Sequence, residues 1–189
     1  GGGAGIAENL FVGGTATSAG VLKTTATTTA TTTGTGALVC GGGSALLPAP
    51  PEGFSLDDEI ALNRALLECG APITAMNAVR KHFSRIKGGR LAKAAAPARC
   101  VSLVVSDIPG DDPAQVASGP TVPDTSGRDE ALRIIERYRL ALPAGMSDFI
   151  ASDASACPDP GDPDFRDNEV RVIASAGVSL EAAAERARA

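Results

Sequence analysis

Aromatic side chains are scarce in this sequence of 189 residues, which contains no Trp, one Tyr and five Phe. A core without large rings has to be built from Ala, Val, Leu and Ile, and small aliphatic cores suit the close packing of helices on a parallel sheet. His82 is the single histidine, and the four cysteines form no Cys-x-x-Cys or Cys/His spacing. The composition therefore argues for an α/β fold and against a zinc motif.

Positive charge is also in short supply, since the formal net charge is −5 and the pI is about 4.9. The one basic run, residues 80–90, is too short and too rich in glycine for a nucleic-acid surface. No run approaches the roughly 20 apolar residues that cross a bilayer, and the N-terminus lacks the pattern of a signal peptide. Cys40 and Cys100 stand in apolar runs, where free cysteine behaves as a small hydrophobe. We therefore expect a cytoplasmic protein without nucleic-acid or membrane partners.

Residues 1–39 are nearly devoid of charge, with Glu8 and Lys23 as the two exceptions, and residues 24–36 use only Thr, Ala and Gly. Two interpretations fit such a tract. Either it is a disordered low-complexity segment, or its letters do not report the natural side chains, with Thr standing for Val and Ala or Gly for truncated residues. We favour the second interpretation, assign residues 1–39 to the same domain as the rest, and give them little chemical weight.

Residues 37–189 alternate strands with helices. Apolar runs predict strands at 37–40, 101–105 and 170–174, and the middle run indicates a buried parallel strand. Helices are predicted from Ser55 to about Glu68, at 77–84, 90–96 and 129–140, and in an Ala-rich segment at the end. The predicted caps are Ser55, which forms a capping box with Asp58, then Thr74 for the second helix and Ser179 for the last. This alternation predicts an α/β fold with a parallel sheet.

A glycine-rich turn, residues 41–44, follows the first of these strands. Its glycines would let backbone N–H groups approach an anion, although a simple tight turn is the alternative. A basic helix follows, on which Asn77, Arg80, Lys81 and Ser84 share one face and could bind carboxylate or phosphate. The alternative for that face is a solvated basic surface. His82 lies on the other side of the helix, and we interpret it as structural.

Carboxylates cluster after the strand at 101–105, where Asp107, Asp111 and Asp112 surround a Pro109-Gly110 turn. Carboxylates at the carboxyl end of a parallel strand are well placed for Mg²⁺. An Asx-type turn is the alternative. A second small-residue turn, 118–121, precedes Asp124 and adds a further candidate anion pocket.

Four strings in order, at 41–47, 77–92, 106–113 and 117–124, resemble the glycerate 2-kinase family. This is the type II or MOFRL family, whose members are often labelled hydroxypyruvate reductases. The resemblance implies a Rossmann-like, three-layer α/β domain at 37–189 with a mostly parallel sheet. It also implies a second, C-terminal domain, whose motifs this chain lacks, so the chain is expected to be a fragment of a two-domain protein. In one place the sequence departs from the family, because Ile6 stands where a Gly-x-Gly-Lys-Ala string would place lysine.

The resemblance further implies that ATP and Mg²⁺ are used to phosphorylate glycerate, a small-molecule substrate, at its 2-hydroxyl, in a cleft between the two domains. On this basis we assign catalytic roles to Arg80, Lys81 and Asp107, substrate or phosphate contacts to Gly42, Gly43, Ser44, Asn77 and Lys87, and metal ligation to Asp107 and Asp112. Two other functions stay open, an NAD(P)-dependent hydroxypyruvate reductase and a non-catalytic sugar-phosphate-binding module. The reductase is the weaker, because no complete dinucleotide fingerprint is present. The oligomeric state is also open, with a homodimer as one option.

Overall fold

The computed structural model describes residues 22–25 and 35–188. The interpretation of residues 1–39, including the position of Ile6, therefore lies largely outside the described residues. The strands are β1 (Leu22–Thr25), β2 (Thr35–Cys40), β3 (Cys100–Val105) and β4 (Glu169–Ala174). The helices are α1 (Gly43–Leu46), α2 (Leu56–Glu68), α3 (Ile73–His82), α4 (Arg90–Ala95), α5 (Arg128–Tyr138), α6 (Met146–Ala151) and α7 (Ala176–Arg188). Three short 3₁₀ turns lie at Val116–Ser118, Asp153–Ser155 and Pro163–Phe165.

The strands form one sheet in the order β1-β2-β3-β4, in which β1 is antiparallel to β2 and the other neighbours are parallel. The β2–β3 register runs from Thr35 opposite Cys100 to Cys40 opposite Val105. The prediction of an α/β fold with a mostly parallel sheet is confirmed. Because β2 and β3 run in the same direction, the glycine-rich turn after β2 and the carboxylate-rich loop after β3 leave the sheet at the same edge.

One face of β3 is buried and the other is partly open. Cys100, Ser102 and Val104 are buried, whereas Leu103 on the opposite face is 36% exposed. The predicted buried parallel strand is thus parallel to both neighbours, but it is partly exposed at Leu103. The reason lies in the packing, because α4 and the Val116–Ser118 turn cover only the face that Val104 presents.

A second hydrophobic cluster joins the helices away from the sheet. Its buried members come from α2, α3, α5 and α6 and from Phe83 after α3. Phe83 packs edge to face against Phe54 and Phe149, with ring centroids 4.9 Å and 5.8 Å away. This cluster fixes the far side of α3, and so it also determines which side chains α3 turns toward the sheet edge.

The helix boundaries confirm one predicted cap and correct two. Ser55 Oγ accepts from the Asp58 N–H, and the Asp58 carboxylate accepts from the Ser55 N–H, so the capping box at α2 is confirmed. Thr74 is not a cap, because α3 begins at Ile73 and Thr74 lies inside its first turn. Ser179 is not a cap either. Ser175 takes that role, since its Oγ accepts from the Val178 N–H.

The start of α3 lies four residues before the predicted 77, and the other boundaries lie within two residues of the prediction, but β1, α1 and α6 were not predicted. The apolar signal of α6 is only six residues long and follows a left-handed glycine, Gly145. Among the helices of the described ranges, none has the length and apolar character needed to cross a bilayer.

Candidate active site

The turn after β2 and the loop after β3 meet in direct contact. The Gly41 N–H donates to the Val105 carbonyl at 3.1 Å, which extends the β2–β3 ladder by one residue. A Cβ atom added to Gly41 would overlap the carboxyl group of Asp107, so a glycine is needed there for Asp107 to take this position. Asp107 is exposed, and within the described part of the chain its carboxylate has no hydrogen-bond or ion-pair partner. An unengaged carboxylate therefore lies directly against the glycine-rich turn.

The turn itself is shaped by Gly42, which has a left-handed φ of 72° and precedes the four-residue helix α1. Gly43 is buried at the start of α1. Ser44 follows, and its Oγ lies 2.7 Å from Ser118 Oγ, which joins this turn to the turn at 118–121. The two turns that the sequence singled out as candidate anion pockets are thus in contact.

Ser118 also connects the glycine-rich turn to the basic helix α3. Its Oγ donates to Asn77 Oδ1 at 3.4 Å, and the same oxygen accepts from Arg80 Nη1 at 3.3 Å. Arg80 Nε donates in turn to Asn63 Oδ1 on α2 at 2.7 Å. Burial lowers the pKa of Arg80, while the nearby Glu59 carboxylate opposes that shift. Ser44, Asn77 and Arg80, which the sequence assigned to one site, are therefore linked in one network.

Lys87 lies near this network but is not exposed to solvent. Its Nζ is 3.1 Å from Glu59 Oε1, and both side chains are buried. The second carboxylate oxygen, Glu59 Oε2, is buried and has no hydrogen-bond partner in the part of the chain that the structure describes. Burial lowers the pKa of Lys87, and Glu59 acts in the opposite direction. Lys87 is therefore held by α2, and its charge is balanced by Glu59.

Lys81 points into the protein on a different side of α3. Its Nζ donates to Asp124 Oδ1 at 2.8 Å, and both side chains are almost fully buried. Asp124 Oδ2 accepts from Ser126 Oγ. The structure thus gives Lys81 an internal partner and places Asp124 with Lys81 instead of with the turn at 118–121.

Asp112 lies within its own turn after β3. Its Oδ1 accepts from the Ala114 N–H at 2.9 Å, and its carbonyl oxygen accepts from the N–H groups of Gln115 and Val116. This is an Asx-type turn at 112–114, next to the Pro109-Gly110 turn for which the sequence left such an arrangement as the alternative. Because only one of its carboxylate oxygens is engaged, Asp112 keeps the capacity to ligate a cation.

A separate group of metal-ligating side chains, His82, Asp124 and Cys157, lines a cavity of about 350 Å³. His82 Nδ1 lies 2.9 Å from the Ser155 carbonyl oxygen, as expected for a histidine with a structural role. A cation in this cavity would face two positive groups. Lys81 already neutralises Asp124, and Arg90 Nη1 lies 3.4 Å from Cys157 Sγ. Among the described residues, Asp124 and Cys157 of this group thus already contact cationic side chains.

Three residues near or in this network, Glu59, Asn63 and Ser118, are not among the site residues that the sequence predicts. Glu59 stands among the acidic residues of the first turn of α2, where a carboxylate is ordinary, and Asn63 follows one helical turn later. Ser118 was recognised only as part of a turn. Glu59 and Asn63 are four residues apart and so share one face of their helix, and this spacing is the signal that could have revealed these two.

Residues 13–151 match a family described as a domain of unknown function, DUF4147. The chain belongs to this family. A protein of Agrobacterium vitis that is named provisionally as a hydroxypyruvate reductase is 52% identical over 149 residues, which make up 78% of this chain and 37% of that protein. The D-glycerate 2-kinase of Thermotoga maritima is 48% identical over 101 residues, which make up 53% of this chain and 24% of that protein.

A solved structure gives the same result in three dimensions. The crystal structure of a glycerate kinase from Thermotoga maritima has a TM-score of 0.70 and 36% sequence identity, and the match covers 80% of this chain and 35% of that one. The resemblance to glycerate kinases that the four sequence strings indicated is confirmed. The matched part of this chain covers between 24% and 37% of the length of these relatives.

Proposed function

We propose that this chain is the nucleotide- and glycerate-handling α/β part of an ATP-dependent kinase that phosphorylates glycerate at its 2-hydroxyl. The observation that carries the proposal is the contact of the unengaged Asp107 carboxylate with the Gly41–Ser44 turn at the carboxyl edge of β2 and β3. Open α/β sheets bind their ligands at that edge. The kinase names of the relatives support the reaction class, and the name D-glycerate 2-kinase supports the position of transfer.

Phosphoryl transfer requires positioning and charge neutralisation more than covalent chemistry. We assign the backbone of Gly42 and Gly43 to contact with phosphate, and Arg80 and Asn77 to the glycerate carboxylate and hydroxyl. Asp107 either accepts the hydroxyl proton or ligates the metal. Lys81, paired with Asp124, and Lys87, paired with Glu59, hold α3 and the segment after it in position.

Mg²⁺ fits this edge by the chemistry of its donors, because it prefers carboxylate and hydroxyl oxygens and Asp107 has no other partner in the described structure. We propose Asp107 and Asp112 as the residues that would hold it. When bound, Mg²⁺ would neutralise negative charge on the phosphate groups. In the complete protein we propose that a second domain closes over this edge, and that the enzyme acts in the cytoplasm.

Two other functions make different experimental predictions. A hydroxypyruvate reductase, which the name of the Agrobacterium relative favours, would oxidise NAD(P)H in the presence of hydroxypyruvate and release no ADP. A sugar-phosphate-binding module would do neither. A coupled assay on the full-length protein that follows ADP release and NAD(P)H absorbance separately distinguishes the three. We expect glycerate-dependent ADP release alone, and NAD(P)H turnover without ADP release would refute the kinase.

The Asp107 assignment is tested by Asp107→Asn, with Asp148→Asn, an exposed carboxylate in the first turn of α6, as the control. Losing one electrostatic contact to the transition state raises the activation free energy by about 2.7–4 kcal/mol, so we expect kcat to fall roughly 100- to 1,000-fold. The melting temperature should hardly change, because the Asp107 side chain has no partner to lose in the described structure. If Asp107→Asn turns over like Asp148→Asn, the Asp107 assignment is wrong, and the ADP assay then decides the kinase proposal without it.

A further inference from the structure

Arg80 is held by neutral side chains, whereas four other arginines of the described structure pair with carboxylates, namely Arg99, Arg128, Arg133 and Arg171. Arg80 forms no ion pair within the described residues. Its Nε donates to the amide oxygen of Asn63 at 2.7 Å, and its Nη1 donates to that of Asn77 at the longer distance of 3.3 Å. An amide oxygen holds a guanidinium in place without neutralising its charge.

The charges around Arg80 do not balance. Glu59 Oε1 accepts from Lys87 Nζ at 3.1 Å, and both of these side chains are buried. Burial is the largest influence on the pKa of Lys87 and of Arg80 and lowers both, while Glu59 raises both. Arg80 also lowers the pKa of Lys87, so the two cations lie close enough to repel each other. Two cations thus share one carboxylate, and the remaining positive charge lies at Arg80.

The amide of Asn63 is itself fixed in one orientation. Its Nδ2 donates to the Glu59 carbonyl oxygen at 2.9 Å. Exchanging the amide oxygen and nitrogen would turn the amide N–H groups toward the guanidinium, which can only donate, and would leave the Glu59 carbonyl facing an oxygen. Asn63 Oδ1 therefore faces Arg80.

The two helices that carry Asn63 and Arg80 are packed together by the residues that precede them. Leu62 on α2 and Val79 on α3 are fully buried in the same hydrophobic cluster. Asn63 and Arg80 follow directly, and each is half-buried. A guanidinium that is already fixed between packed helices loses little conformational freedom when it binds a ligand.

We propose that Asn63 is a positioning residue that holds Arg80 ready for a substrate carboxylate without neutralising its charge. The choice of a carboxylate rests on the proposed function, in which Arg80 binds the carboxylate of glycerate. Arg80 Nη2 has no hydrogen-bond partner among the residues that the structure describes. A guanidinium edge can donate two parallel hydrogen bonds to a carboxylate, so the fixed plane of Arg80 also fixes the direction of that contact.

Two substitutions of Asn63 distinguish this role from a purely structural one. Asn63→Ala removes the acceptor of Arg80 Nε. Asn63→Asp keeps an oxygen against Arg80 and turns the contact into an ion pair, but it also balances the positive charge that the substrate would otherwise meet. Asn168→Ala is the control, because Asn168 is also half-buried and its Oδ1 accepts from the Cys100 N–H at 2.7 Å.

Binding of D-glycerate and of hydroxypyruvate is measured by isothermal titration calorimetry on the full-length protein with a non-hydrolysable ATP analogue, and melting temperatures are measured alongside. We expect both Asn63 variants to raise the dissociation constant of D-glycerate by about 10- to 100-fold, equivalent to one hydrogen bond to a charged group. Asn168→Ala should bind D-glycerate like the wild type. In the kinase assay KM for glycerate should rise with kcat nearly unchanged. Wild-type affinity in either Asn63 variant would overturn the proposal.

A double-mutant cycle shows whether Asn63 acts through Arg80. Arg80→Lys keeps the positive charge but lacks the planar fork, so Asn63→Ala should weaken binding no further in that background. Losses of affinity that add in the double variant would refute the positioning role.

Binding and turnover fail separately. A wild-type protein that binds D-glycerate or hydroxypyruvate but shows no glycerate-dependent ADP release would refute the kinase, while the affinities of the variants still decide the role of Asn63. An active wild-type protein with unchanged affinity in Asn63→Ala would refute the role of Asn63 alone. A full-length protein that binds neither carboxylate would refute the role of Arg80, and that of Asn63 with it.

Discussion

Glycine is needed at position 41 for a different reason from glycine at position 42. Gly41 leaves room for the Asp107 carboxyl group. At Gly42 a Cβ atom would meet nothing within 4 Å, but the residue adopts a left-handed φ of 72°. One residue is constrained by a neighbour, and the other by its own backbone. Replacing each by alanine therefore separates the position of the carboxylate from the stability of the turn.

For Gly41→Ala we expect the Asp107 side chain to swing away, since a carboxyl group at the end of a flexible side chain yields more easily than backbone. Glycerate-dependent ADP release should fall at least about tenfold, as expected when a catalytic group is misplaced, with little change in melting temperature. Gly42→Ala should instead destabilise by about 1–2 kcal/mol because of its φ. Urea unfolding and ADP assays on both variants check this, and similar losses of activity in the two would contradict it.

At the scale of helices and strands, prediction from the sequence succeeded where the determining interactions are local. The capping box at Ser55 involves residues three apart, and the apolar runs of β2 and β3 lie within six residues each. The sequence predicts Thr74 as the N-cap of α3, but Thr74 does not cap the helix. The helix begins one residue earlier, at Ile73, immediately after Pro72. Pro fits well where a helix starts, so both residues carried a start signal.

The pairing of charges could not be predicted from the sequence, because it depends on how helices pack. Lys81 and Lys87 look equivalent in the basic run, yet one pairs with Asp124 and the other with Glu59. Their partners are 43 and 28 residues away in the chain. No spacing rule within a helix reaches that far, and a buried ion pair is recognised only when both members are located.

The Glu59–Lys87 pair connects α2 to the segment after α3, and we expect its two members to be strongly coupled. Glu59→Gln leaves Lys87 buried without its counter-charge and should destabilise by about 3–5 kcal/mol. The double variant Glu59→Met with Lys87→Met should recover most of that loss, because the two buried charges are removed together. Urea unfolding of the single and double variants measures the coupling. Additive losses would show that Glu59 and Lys87 contribute to stability independently of each other.

At the scale of the whole molecule, His82 joins parts of the chain that are distant in sequence. Its Nδ1 and Nε2 face the carbonyl oxygens of Ser155 and Ser126, at 2.9 Å and 3.3 Å, so the end of α3 is tied to the loops before α5 and after α6. Burial lowers the pKa of His82 below its ordinary value of 6.5, although the two carbonyl groups and Asp124 oppose that shift. The charge state of one side chain is therefore linked to the stability of the fold.

The sign of this linkage predicts loss of stability in acid. Below pH 6.5 the unfolded chain takes up a proton on His82 more readily than the folded chain does, so the free energy of unfolding falls until the pH passes the folded pKa. The slope from this residue is at most about 1.4 kcal/mol per pH unit. We expect His82→Gln to show a shallower decline between pH 6.5 and 5 in urea unfolding. A slope equal to that of the wild type would exclude His82 as the source.

The parallel register of the sheet also affects the timing of folding during synthesis. Thr35 pairs with Cys100, so β2 leaves the ribosome about 65 residues before its partner is made, and at about 5–20 residues per second this is a wait of several seconds. Helices α2 and α3, whose contacts are closer in sequence, can pack during that interval. During that interval β1, which precedes β2 in the chain, is the one neighbour in the described sheet with which β2 can pair, and the edge of β2 that β3 will occupy stays open.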